Sequence, residues 1–278
     1  LFFEVFGQER VFSGSGVERG PVLIGLHGGP GLDGTKLRYQ LAPLADVAQV
    51  VVPDQRGHGR SDHGTPQTWN LARWAEDAKA LSDVLGIERP VMLGISFGAG
   101  VAQHYAATYP GHPAGLILIS TGPRFAGLDE IVARFREVGG DAAAEVMRRD
   151  AEAPTEETFA EWMRVCQPLL SRRAGADPLL ARVEAARIQT IDVNLHFMSD
   201  EGKKTDHRPA LQSVRCPTLV LVGEYDPLVP AYLGQEIIEV IPDGLARLHV
   251  ISDAAHDVFA DNPQQTYSLI RQFLADLA

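Results

Sequence analysis

Cysteine is scarce in this chain: two in 278 residues. Cys166 and Cys216 are too few for a disulfide scaffold or a four-ligand zinc site. Positive charge is in deficit, with 25 Lys and Arg against 36 Asp and Glu and a net charge of −11. That sign opposes binding to the phosphate backbone of a nucleic acid. Long apolar runs are missing: 47–53, interrupted by Gln49, and 116–119 fall far short of the ~20 residues a membrane helix needs. No G-x-G-x-x-G opens a nucleotide-binding helix and no phosphate loop is present. There is no internal repeat and no low-complexity tract. What remains is ordinary globular composition, 45% hydrophobic and 22% charged, in a chain long enough to bury roughly three quarters of its unfolded surface. The expected setting is cytoplasmic, without membrane or nucleic-acid partners, as a monomer or weak homo-oligomer. The chain opens at Leu1 rather than Met, which leaves room for a removed leader.

Short β-branched runs alternate with helical stretches, the pattern of a mostly parallel central sheet flanked by helices. Leu1–Phe6 and Glu9–Ser13 read as a hairpin turning at Gly7-Gln8. Further strands are expected at Val22–Leu26, Val47–Val52, Pro90–Ile95, Gly115–Ser120, Thr218–Gly223 and Arg247–Ile251. Helices are expected at Asn70–Leu85, where Leu71, Trp74, Ala78, Leu81 and Leu85 recur at helical spacing, and at Phe97–Tyr109, Tyr232–Ile241 and Gln264–Leu277. From Pro123 to Pro209 the rhythm changes to charged, alanine-rich helix broken at Gly139-Gly140, Pro154, Pro168 and Asp177-Pro178. The division is therefore a core of 1–122 plus 210–278 and a helical cap of 123–209, inserted after the sixth strand.

Chemistry concentrates at Gly94-Ile95-Ser96-Phe97-Gly98. A G-x-S-x-G between strand and helix puts its serine on a tight, strained turn, with glycines where side chains would strike neighbouring backbone. A serine hydroxyl needs a base, and His256 follows the last strand, on the sheet edge where Ser96 is expected. An imidazole in that role needs a carboxylate, and Asp226 follows the preceding strand on that edge; Asp257 is the weaker substitute. The oxyanion donors are expected from the Phe97 N–H and from His27-Gly28-Gly29-Pro30-Gly31, with Gly29 the donor. His27, Asp54 and Arg56 are read as loop supports. His58, Asp62 and His63 lack a ligand cluster around them, so neither metal nor cofactor is expected. Trp162 is a candidate pocket residue in the cap, while Cys166 and Cys216 are packing residues.

Together these residues resemble the α/β-hydrolase fold superfamily. Within it, His27–Gly31 and Asp54-Gln55-Arg56-Gly57-His58-Gly59-Arg60-Ser61 look like the paired motifs of prolyl iminopeptidases and their relatives. The resemblance implies a cofactor-free serine hydrolase acting on a small molecule or short peptide. In that family cap carboxylates bind the substrate's free amine; Asp192 and Glu184 are the candidates here, with His196 a further substrate-binding candidate. Two departures stand out. Phe97 replaces the tryptophan usual after the nucleophile, a form closer to small esterases and perhydrolases. The family's cap glutamate is matched by Val193 in Asp192-Val193-Asn194-Leu195-His196-Phe197. The expected activity is hydrolysis of an ester, lactone or amide through an acyl-enzyme. The alternatives are a cofactor-free perhydrolase or haloperoxidase, and a non-enzymatic ligand receptor.

Overall fold

The computed structural model describes residues 1–8, 10–13, 16–242 and 244–277. Its strands in chain order are β1 (Phe3–Phe6), β2 (Arg10–Ser13), β3 (Gly16–Arg19), β4 (Val22–Leu26), β5 (Gln49–Pro53), β6 (Val91–Ile95), β7 (Gly115–Ile119), β8 (Thr218–Gly223) and β9 (Ala246–Ile251). Seven of them form one sheet in the order β1-β5-β4-β6-β7-β8-β9. Every pairing in it is parallel except β1 with β5.

The central strands are apolar on both faces, as a parallel sheet covered by helices requires. Period-2 alternation divides their side chains. Leu23, Val50, Val52, Leu93, Ile117 and Ile119 pack against α1 (Thr35–Leu41) and α12 (Pro263–Asp276). On the other face Ile24, Val51, Met92, Leu116, Leu118 and Val220 meet α2 (Leu71–Val84), α3 (Phe97–Thr108) and α10 (Ala231–Val240). Each fully buried Leu, Ile or Val contributes about 1.5–3 kcal/mol. Truncating one, as in Leu118→Ala, therefore costs about 2–5 kcal/mol once the cavity is included. The α2 helix starts where the Asn70 side chain accepts the Arg73 N–H (2.9 Å) and stops at Gly86, whose φ of 67° suits only glycine well.

Between β7 and β8 the chain is helical: α4 (Leu128–Glu152), α5 (Glu156–Val165), α6 (Pro178–Ala185), α7 (Ile191–Ser199), α8 (Glu201–Lys204) and α9 (Arg208–Leu211). Gly140, at φ 75°, kinks α4, and the Thr155 capping box restarts helix after Pro154. This insertion has its own apolar cluster, including Val132, Phe135, Ala143 and Cys166. The remaining helix, α11 (Val258–Asp261), follows the last strand.

The expected N-terminal hairpin is corrected. β1 pairs antiparallel with β5 at the sheet edge, while β2 pairs with β3 (Ser13↔Gly16); Glu9 lies outside the described residues. Pairing with β5 lets Phe3 and Phe6 shelter against the main core, which a free hairpin could not offer. Because β3 was not anticipated, the insertion follows the seventh strand in chain order, the same Gly115–Ile119 segment after which it was expected. The α1 helix between β4 and β5 was also not anticipated.

Candidate active site

The elbow is built by close approach. Ser96 ends β6 and precedes α3 with φ 52° and ψ −117°, a left-handed geometry costly for a residue with a side chain. Its N–H extends the β6–β7 ladder to the Ile119 carbonyl (2.9 Å), and its own carbonyl accepts from Ala99 N–H (2.9 Å) and Gly100 N–H (3.2 Å). A Cβ on Gly98 would strike the Leu26 and His27 carbonyls, and one on Gly94 would strike Ala99 and the Gly98 carbonyl. Only glycine allows the helix to start this close to the sheet.

The histidine loop reaches Ser96 through β7. Ser120, the residue after β7, donates its hydroxyl to the His256 carbonyl (2.7 Å), and the residue before it accepts from Ser96. His256 Nδ1 donates to Asp226 Oδ2 at 2.7 Å. The other oxygen, Oδ1, accepts from Leu228 N–H (2.9 Å) and Val229 N–H (3.0 Å), which fixes the carboxylate in place. Asp226 is 1% exposed. With Nδ1 as donor, Nε2 is left as the basic nitrogen. Among the described residues Nε2 and Ser96 Oγ have no hydrogen-bond partner, so the imidazole's fixed bond is to Asp226.

The Gly28–Gly31 loop lies directly on the elbow: a Cβ on Gly28 would sit 3.7 Å from Ser96 Cβ. Among the described residues neither the Gly29 nor the Phe97 N–H donates to a protein acceptor. His27 supports this loop. Its Nδ1 donates to the Gly28 carbonyl (2.9 Å) and its Nε2 accepts from Gln55 N–H (3.0 Å). Burial holds it neutral by lowering its pKa. Asp54 accepts from Gly34 N–H, Arg60 N–H and the Arg38 guanidinium. Burial alone would raise its pKa, but these donors outweigh it and the carboxyl stays below the usual range. Arg56 forks onto Asp77 at 2.6 and 2.7 Å.

The insertion rests on this edge. Asn194 Nδ2 donates to the Pro30 carbonyl (3.0 Å), Thr190 N–H donates to the Gly31 carbonyl (2.9 Å), and the Phe197 ring lies 5.3 Å from that of Phe97. Val193 is fully buried in the core cluster that holds Trp69, Trp74 and Phe97. Asp192, His196 and Trp162 each find partners other than Ser96 and His256. Asp192 faces His63 at 2.9 Å, with both more than half exposed. His196 stands 5.7 Å from Trp69 and lines a separate hollow of ≈ 590 Å³ with His104, Glu201 and His207. That hollow contains neither Ser96 nor His256. Trp162 Nε1 points at Met147 Sδ (3.4 Å) inside the insertion's own core.

The two other carboxylates weighed from sequence share one cation: Lys36 Nζ lies 2.6 Å from Glu184 and 2.7 Å from Asp257. Asp257 also accepts from Gln40 Nε2 (2.9 Å), so it is turned away from the role of Asp226. Lys36, Ser120, Asn194 and Asp261 were not identified from sequence. Their partners lie up to more than 200 positions away, and no local pattern announces them. Among the described residues no three His, Cys, Asp or Glu come together as metal ligands, and both cysteines are buried free thiols.

A strained serine at a strand–helix junction, a histidine bound to a carboxylate on the adjoining loops and a glycine loop laid over the serine define a hydrolase site. The sequence profile of the alpha/beta hydrolase fold matches residues 21–263, and the chain belongs to that family. It is 27% identical over 283 residues to proline iminopeptidase PfmaB of Pestalotiopsis fici, covering 98% of each chain. It is also 27% identical over 281 residues to pimeloyl-[acyl-carrier protein] methyl ester esterase of Chromobacterium violaceum, covering 99% of this chain and 98% of that one. The solved thermophilic esterase of Thermogutta terrifontis superposes with a TM-score of 0.73 at 26% identity, over 99% of this chain and 93% of that one. The chain resembles prolyl iminopeptidases and is an enzymatic hydrolase.

Proposed function

We propose that the protein is a serine hydrolase of small carboxylic esters, lactones among them, working through an acyl-enzyme. The observation that carries the reading is the bond from His256 Nδ1 to buried Asp226, on the edge where Ser96 sits at φ 52°. Ser96 Oγ would attack the carbonyl as His256 Nε2 takes its proton. Asp226 holds the ring's tautomer and stabilises the imidazolium that results. The tetrahedral oxyanion would be met by the Phe97 and Gly29 N–H groups, which need no reorganisation to receive it. His256 then returns its proton to the leaving alcohol and activates the water that releases the acid.

Ester over N-terminal proline is favoured by the insertion. Where the related aminopeptidases carry an amine-binding glutamate this chain has Val193, fully buried among aromatic rings. Glu184 is held by Lys36, and Asp192 is drawn outward to His63. Both carboxylates are thus engaged by other side chains, and the position that would carry the amine-binding glutamate is apolar. The test is a panel of short-chain nitrophenyl esters, acyl lactones and proline nitroanilide, read for wild type and Ser96→Ala. Wild type is expected to prefer the esters or lactones, and Ser96→Ala to lose roughly a thousandfold or more in kcat while remaining folded. Proline release without ester preference would overturn the substrate assignment, and near-normal activity of Ser96→Ala would overturn the mechanism.

A further inference from the structure

We propose that Asp261 is a positioning residue for His256, fixing the imidazole through a turn of the helical insertion; this rests on the catalytic reading of Ser96 and His256 above. Asp261 ends α11, is fully buried and receives four hydrogen bonds. Oδ1 accepts from Ser171 Oγ (2.6 Å) and Arg173 N–H (3.1 Å). Oδ2 accepts from Ala255 N–H (2.7 Å) and Arg172 N–H (3.1 Å). Three of the four donors belong to one turn of the insertion, and the fourth is the residue immediately before His256. Among the described residues no cation compensates this charge directly: the Arg172 guanidinium turns instead to Asp253 at 2.7 Å and lies over the Tyr225 ring.

The same turn holds the other flank of His256. The N–H of Asp257 donates to the Leu170 carbonyl (2.9 Å), and the His256 carbonyl is held by Ser120. The backbone on both sides of the histidine is thus tied to residues 170–173, whereas the ring itself has one hydrogen-bond partner among the described residues, Asp226. Where Nε2 sits relative to Ser96 is therefore decided by this backbone together with Asp226. An ångström of misplacement at a reacting group can cost about a hundredfold in rate. Asparagine substitutes poorly. Three of the four partners are backbone N–H groups that can only donate, so in either orientation its NH₂ would face at least one of them.

The test compares full-length Asp261→Asn, Ser171→Ala and Ser96→Ala, using 4-nitrophenyl acetate as substrate and a fluorophosphonate to count competent Ser96. Folding is followed by near-UV circular dichroism. Asp261→Asn is expected to lower kcat per labelled serine by about tenfold or more, as a shifted base would, with KM within about twofold. Ser171→Ala removes one cap-side donor and is expected to lower kcat in the same sense by a smaller factor, at near wild-type stability. Wild-type kcat per labelled serine in folded Asp261→Asn would overturn the inference, since a purely structural residue lowers only the competent fraction. If Asp261→Asn does not fold, Ser171→Ala decides: a reduced kcat supports positioning and an unchanged kcat overturns it. Activity surviving Ser96→Ala would remove the site reading itself, and this inference with it.

Discussion

His58 shows what a single buried side chain does to this molecule's pH response. It is fully buried, 5.1 Å from the His27 ring and 5.7 Å from that of Phe97. Its Nδ1 donates to the Arg56 carbonyl (2.9 Å), while Nε2 has no partner among the described residues. Desolvation, and then the neighbouring His27, push its pKa down to about 3. In the unfolded chain the same ring titrates near 6.5. Below that value the unfolded state takes up a proton that the native state refuses, so stability falls as pH drops from 6.5 toward about 3. One such group contributes a slope of about 1.4 kcal/mol per pH unit. Urea midpoints measured between pH 4.5 and 7 should therefore decline more shallowly for His58→Gln than for wild type, by about one proton. Equal slopes would show that His58 accepts its proton in the native state. The three residues of the proposed triad were legible because each follows a strand the sequence announces. His58 was legible as part of a motif, but its environment was not, since its burial is made by Trp74 and Phe97 from two other segments.

Among elements, the strands and long helices were the readable part. β4 to β9 are short β-branched runs ended by glycine, proline or charged loops, and α2 carries its own cap and stop. The α1 helix was not readable: at seven residues it has no side-chain cap, and its buried positions include Arg38 and Gln40. Yet α1 supplies the Lys36 bridge between α6 of the insertion and the loop after His256. Lys36 is 21% exposed and Asp257 9%. Removing the cation leaves two carboxylates facing each other, one nearly buried, at a cost of about 2 kcal/mol after allowing for partial solvation. Lys36→Met should lower the urea-unfolding free energy by that amount, and adding Glu184→Gln and Asp257→Asn should recover most of it. No recovery in the triple variant would mean that Lys36 acts by packing its stem rather than by its charge. Burial alone would lower the Lys36 pKa, but Asp257 and then Glu184 raise it overall. Its contribution is thus complete below the unfolded value near 10.4 and lost as pH rises through the higher folded one.

Across the whole molecule cohesion is non-covalent. Cys166 and Cys216 are buried free thiols, one in the insertion and one just before β8, and burial pushes them up to about 12 and about 11. A thiol reagent at pH 8 should leave both unmodified until the chain unfolds, and Tm should be the same with and without reductant. Rapid reaction of either thiol in the native protein would contradict the packing described for it. The insertion rests on the sheet edge through hydrogen bonds, an ion pair and the packing of the Phe197 ring on the Phe97 ring. Phe97 is also the residue whose amide is proposed to greet the oxyanion. The side chain that carries this amide is thus clamped by the insertion, so loosening the insertion would also loosen the backbone beside Ser96. A disturbance at the Phe197 ring would then be felt one residue from the serine.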